Sequence, residues 1–366
     1  MDPVDTVEAA SSSHAPAPIS TDTDPARSAK LDTWLTVGVW VVGASLVLFA
    51  GFFGWSVYAQ AQAARLSSPA MQVIDALQKQ VDATPKDPTL HSRLAEALGT
   101  AGMFDRATAE LIIAVKLDPT FAGGYENLGA IAMTQKNYSD AEKYFNKVLE
   151  LTSTGDYQNV NQRRDEAYFY LGEIALIQKR YEDAVGYFNA AIRVRKDASD
   201  SYLRLGQAYA GLGQKDQAKE QINIALAFDP HFAEAHYELG KLLISEGDKV
   251  NAAWEFRAAL DSMPDQPDPQ AALDALGPYE EWYAAASKAW LAGDEAAALD
   301  DVRIARAISP DSYDAAMLNG RILDKIRDFA GAADAYAVAF KVDSSSKEAT
   351  SAFALSVEAS RTAGAK

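Results

Sequence analysis

The sequence predicts an all-α protein in which about seven helical hairpins follow a single N-terminal transmembrane helix. Three observations predict it. Residues 88–346 repeat with a 34-residue period, fixed positions within that period are occupied by small residues, and Trp34 to Tyr58 forms an unbroken apolar run.

The apolar run comes first in the chain. No Asp, Glu, Lys or Arg occurs from Thr33 to Ala64. The 25 residues from Trp34 to Tyr58 span about 37 Å as a helix, enough for a hydrocarbon core of about 30 Å. Trp34 at one end, with Trp55 and Tyr58 at the other, match interfacial aromatic belts. Ala59-Gln60-Ala61 and Ala61-Gln62-Ala63 imitate a signal-peptide cleavage site. However, the run is longer than an ordinary h-region, and the acidic tail before it is a poor n-region. An uncleaved helix over 31–60 is therefore expected, in preference to a signal peptide or a buried soluble helix. Residues 1–30 are rich in Ser, Thr, Pro, Ala and Asp and read as a disordered tail. Arg27 and Lys30 precede the run and Arg65 follows it, which favours a cytoplasmic N-terminus and an extracytoplasmic C-terminal domain by about one charge.

Beyond a linker and N-capping helix at 61–87, blocks of 34 residues begin at Pro88, Ala122, Asp165, Ser199, Ala233, Tyr279 and Tyr313. Position 20 is alanine in all seven: Ala107, Ala141, Ala184, Ala218, Ala252, Ala298 and Ala332. Position 8 is always Gly or Ala, and position 24 is bulky, as in Leu111, Phe145, Phe188 and Phe256. Small residues allow two antiparallel helices to approach while bulky ones fill the space between them. Gly102, Gly213, Gly247 and Gly293 at position 15 supply the turn within a hairpin, and Pro119, Pro230, Pro264 and Pro310 at position 32 end its second helix. One hairpin cannot bury its own apolar face, so stability must come from stacking. The order expected is repeats one to five at 88–266, interrupted by an insert at 156–164, then a Pro-rich linker at 267–278. Repeats six and seven follow at 279–346, and a C-capping helix and tail at 347–366.

These blocks resemble tetratricopeptide repeats, most clearly in Tyr125 to Leu151, Tyr168 to Val194 and His236 to Leu260. The resemblance implies a right-handed superhelix whose first helices line a concave groove through positions 2, 5, 9, 12 and 13. On this chain that rule selects Met133, Phe169, Glu173, Leu176, Leu203, Gln207, Tyr237, Lys241, Ile244, Tyr283, Trp290 and Met317. An aromatic and aliphatic floor with acidic flanks suits a peptide or protein partner that is apolar and basic. A subgroup of the family grips a C-terminal carboxylate with basic residues on successive repeats. Here Glu166 and Tyr170 stand where bases would be needed, while Arg93 and Arg204 stand alone, so that role is disfavoured.

Composition narrows the remaining roles. The chain holds 34 Lys and Arg against 51 Asp and Glu, a formal charge of −17 that opposes nucleic-acid binding. It contains no cysteine, which excludes disulfides, thiolate metal sites and thiol nucleophiles. The four histidines lack metal-ligand spacing, and no phosphate loop, dinucleotide fingerprint or nucleophile elbow occurs. No cofactor, metal site, small-molecule substrate or catalytic residue is therefore expected. Asn137-Tyr138-Ser139 fits a glycosylation sequon but falls at a hairpin turn, where Asn serves the backbone. The reading is a membrane-anchored scaffold or adaptor for assembling or chaperoning envelope or membrane complexes. Its alternatives are an accessory subunit built into a larger membrane complex and a cytoplasm-facing targeting receptor.

Overall fold

The computed structural model describes residues 49–58, 69–153 and 162–364. The chain divides into two units, Met1–Ala76 and Leu77–Lys366. In the first, residues 49–58 are helical and their side chains are largely exposed, Trp55 at 66%. Among the described residues no helix is long and apolar enough to cross a membrane. Most of the span expected at 31–60, namely 31–48 and 59–60, lies outside the described residues, as does the whole tail at 1–30.

Every second helix starts at position 17 of its block, from Phe104–Leu117 in repeat one to Phe329–Val342 in repeat seven. First helices start at position 1, except that of repeat three, Gln162–Ile177, which begins three residues early. Residues 162–164 thus belong to a helix instead of the expected insert, and 156–161 lie outside the described residues. The chain closes with Lys347–Gly364.

The turn inside each hairpin is the same in all seven repeats. The amide at position 16 donates to the carbonyl at position 11, as in Arg180 N to Ala175 O at 2.8 Å and Asp248 N to Leu243 O at 3.0 Å. This Schellman closure puts position 15 in the left-handed region. Gly102, Gly213, Gly247 and Gly293 take it without strain, but Lys136, Lys179 and Arg327 occupy the same place at φ 58°, 59° and 67°. The glycines expected from sequence are therefore only part of a turn that three long cationic residues also adopt. Asn137 caps the following helix by accepting from the Asp140 amide, as Asp248, Asp294 and Asp328 do in their repeats.

The small residue at position 8 has a definite neighbour. A Cβ on Gly172 would lie 2.6 Å from the Phe188 ring, one on Gly129 2.7 Å from Phe145, one on Gly240 2.5 Å from Phe256 and one on Gly320 2.4 Å from Tyr336. Where position 8 is alanine, as at Ala95 and Ala286, position 24 shrinks to Leu111 and Val302, and all four are fully buried. The two positions share one volume in each hairpin.

Position 4 carries a second shared device. His91 Nδ1 is 2.7 Å from Glu110 Oε2 and Nε2 is 3.1 Å from Pro85 O. His236 repeats both distances, with Glu255 and with Pro230 O. Carboxylate and carbonyl oxygens only accept, so the His236 ring, bonded to both, donates from both nitrogens as an imidazolium does. The hydrogen bond to Glu255 raises the His236 pKa despite burial, with smaller help from Pro230 O. A raised folded-state pKa adds stability below the unfolded value of about 6.5 and loses it as pH climbs through the folded value. The melting-temperature gap between wild type and His236→Phe is expected to be widest in acid and to close toward mildly alkaline pH. A gap that stays constant with pH would contradict the imidazolium assignment.

Stacking is regular through repeat five, the second helix of each repeat packing on the first helix of the next. It then changes. Pro267–Asp274, expected as linker, is a helix, with prolines in its first turn where no intrahelical amide is needed. Pro267 lies one full period after Ala233, and Leu273, fully buried, occupies the bulky position 7. This segment is a first helix cut short. The second helix of repeat five, Lys249–Ser262, then packs on the second helix of repeat six, Glu295–Ile308, through Phe256, Leu260, Leu273, Ile304 and Ala307. Arg257 ties the two together by donating from Nε to Ala307 O at 2.7 Å and from Nη2 to Ile308 O at 3.1 Å. Farther on, Tyr279 and Tyr313 at position 1 bond Ser312 and Ser346 at position 34, each at 2.7 Å.

Candidate protein-binding face

Position 2 opens a first helix, and positions 5, 9 and 12 follow it along one side of the helical cycle. In repeats three to five these positions bring Phe169, Glu173, Leu176, Gln207, Tyr237, Lys241 and Ile244 to partly or fully exposed sites. Ile244 is 40% exposed. Leu176 and Phe169 lie at the edge of the cluster formed by Ala175, Phe188 and Leu205, and the Phe169 ring meets Phe188 edge-on at 5.9 Å. Tyr237 packs against Phe256 at 5.9 Å and carries the Lys241 ammonium over its ring at 5.1 Å. Met133 in repeat two borders the Phe145 cluster.

Two of the expected groove residues are not on that face. Leu203 is 0% exposed and packs with Ala235 and Leu239 of the next first helix. Met317 is 3% exposed and packs with Ala349 and Phe353 of the C-terminal helix. Position 5 sits at the seam between consecutive first helices, so an unbranched or γ-branched aliphatic side chain there turns into the seam. Tyr283 and Trp290 border a separate cluster around Ala286 and Leu318, with Tyr283 stacked on Tyr279 at 5.7 Å.

The charges on the face form bridges from repeat to repeat. Arg204 at position 6 of repeat four lies between Glu173 of repeat three and Glu234 of repeat five. Its Nε is 2.9 Å from Glu173 Oε1, off the line of a hydrogen bond, while Nη1 donates to Gln207 Oε1 at 3.0 Å and also to Glu234. Its acidic partners are 31 residues earlier and 30 later, the offsets that join positions 9, 6 and 2 across a 34-residue period. Arg163 binds Glu126 across the junction of repeats two and three, and Arg321 binds Glu348 across the junction with the C-terminal helix. Burial and a hydrogen bond with Glu166 raise Glu126 to about 7, while that same bond lowers Glu166. Burial also raises Glu173 despite Arg204. The face is acidic overall, and part of its acidity is held back by its own guanidinium groups.

No group of three or more His, Cys, Asp or Glu among the described residues could hold a metal ion. A tetratricopeptide-repeat family profile matches residues 120–197, and a second matches 203–277. The type IV pilus assembly protein PilF of Pseudomonas aeruginosa is 38% identical over 68 residues, covering 19% of this chain and 27% of that relative's length. Among solved structures, PilF of the same species is 19% identical over 62% of this chain and 94% of its own, with a TM-score of 0.44. YrrB, described as a TPR protein with an unusual peptide-binding site, is 21% identical over 54% of this chain and 98% of its own, with a TM-score of 0.44. MamA is 24% identical over 48% and 91%, with a TM-score of 0.42. With hairpins of one 34-residue design and profile matches over 120–197 and 203–277, the chain carries tetratricopeptide repeats.

Proposed function

We propose that this protein is a membrane-anchored scaffold whose first-helix face over repeats two to five binds an extended or helical peptide segment of a partner, apolar with basic residues. The observation that carries this reading is the strip formed by half-buried Leu176 and Tyr237 and exposed Ile244 between partly compensated carboxylates. Apolar side chains at regular helical spacing offer anchors, and neighbouring carboxylates fix the orientation of a cationic ligand. An assembly role is consistent with the similarity of a short stretch to a pilus assembly protein. Tethering at the membrane rests on the apolar run Trp34 to Tyr58 and on the exposed rings of Phe49, Phe52, Phe53 and Trp55 in its described part. The flanking Arg27 and Lys30, against Arg65 beyond the run, favour the extracytoplasmic side for the repeats by about one charge.

The test is affinity capture from native membranes with the full chain and with Leu176→Asp combined with Ile244→Asp. Neither side chain is fully buried, so helical content should be preserved. Capture is expected to fall by about tenfold or more, the loss typical of removing central anchors. Unchanged capture with intact helicity would overturn the reading.

A further inference from the structure

At the end of this face the bridging pattern loses its cation. Guanidinium groups cross the junctions of repeats two with three, three with four and four with five, through Arg163 and Arg204. The next junction joins repeat five to the shortened helix Pro267–Asp274. There Glu234 and Glu238 face Asp268, which occupies position 2 of the shortened helix, and no basic residue lines the space between. That space is a pocket of about 450 Å³, walled on its apolar side by Phe232, Tyr237, Met263 and Pro269. Met263 is 53% exposed, a long flexible side chain left beside the opening. On the neighbouring turn Lys241 shows what such walls accept: its ammonium sits 5.1 Å over the Tyr237 ring and 2.8 Å from a Glu238 oxygen.

We propose that this pocket binds an arginine side chain of the partner peptide, whose guanidinium bridges Asp268 to Glu238, as no cation of the chain does there. The proposal rests on the peptide-binding reading above and deepens it. A planar guanidinium can bond two carboxylates at once and stack on an aromatic ring, whereas an ammonium is a more strongly hydrated point charge. Asp268, together with a Glu238 shared with Lys241, then plays the part that Glu173 and Glu234 play for Arg204. The shortened helix ends the regular face at this point, so the pocket sets the register of the bound segment.

Saturation-transfer NMR on the full chain in detergent tests this, with N-acetyl-arginine methylamide as the probe and the lysine and neutral citrulline analogues as comparisons. The arginine methylenes should receive saturation, the lysine analogue less and the citrulline analogue none. In Glu238→Gln with Asp268→Asn the arginine signal should weaken by about tenfold, as expected when charge-assisted bonds are removed. Asp268→Asn alone, at an exposed helix start, should weaken it measurably without touching the fold. Equal signals from arginine and citrulline, equal signals from arginine and lysine, or an arginine signal indifferent to both variants would overturn the proposal. The Leu176→Asp, Ile244→Asp protein separates the two readings. If it binds the arginine probe but still captures partner normally, the peptide-binding reading fails alone. If it loses partner while wild type ignores the probe, the pocket fails alone.

Discussion

Gly172→Ala should destabilise the protein by about 1–2 kcal/mol, although alanine is the better helix former by about 1 kcal/mol. The new methyl would lie 2.6 Å from the Phe188 ring, and Phe188 is fully buried. The ring has no room to retreat. Phe188→Ala alone should cost about 3–5 kcal/mol through the cavity it leaves. The informative variant is Gly172→Ala with Phe188→Leu, which rebuilds the Ala95 and Leu111 pair already present in repeat one. Urea unfolding should show the double variant more stable than the sum of its parts by about 1–3 kcal/mol. Strict additivity would mean that the two positions do not share a volume.

Arg257→Met should separate the repeats that follow the shortened helix from those before it. The guanidinium satisfies the terminal carbonyls of Ala307 and Ile308 from another hairpin. A cation at a helix C-terminus is also favoured by the helix dipole. Losing two charge-assisted bonds while keeping much of the aliphatic packing should cost about 2–3 kcal/mol. In a linear array such a loss falls on one interface. Hydrogen exchange should therefore accelerate in residues 279–346 and leave 88–246 protected, with unfolding resolved into two transitions. Uniform weakening across all seven repeats would contradict the junction described by Arg257 and Leu273.

Much of this was legible because a 34-residue period exposes every position several times. Position 17 starts a helix in each repeat whether the residue there is Phe104, Tyr138, Lys215 or Glu295, since the preceding Schellman turn determines where the second helix can begin. Seam contacts were harder to read. Leu203 and Met317 carry the same position number as Phe169 and Tyr237, yet their shape lets them turn into the seam, and a helical wheel does not encode the neighbour one repeat away. Pro267 and Pro269 suggested a linker because proline opposes helix interiors. At a helix start it does not, and the signal was the period itself, which puts Pro267 at position 1 and Leu273 at position 7. The acidic partners of Arg204 lie 30 and 31 residues away, a distance meaningful only once adjacent first helices are known to lie side by side.

The central claim is that a partner lies along the first-helix face of repeats two to five. The most direct measurement places a photo-crosslinking amino acid singly at Leu176, Gln207, Ile244 and, as a control on a second helix, at the exposed Asn223, with irradiation of intact native membranes. Adducts of one common mass are expected from the three first-helix positions and none from position 223. Adducts from position 223 alone, or unrelated masses from the three first-helix positions, would contradict it.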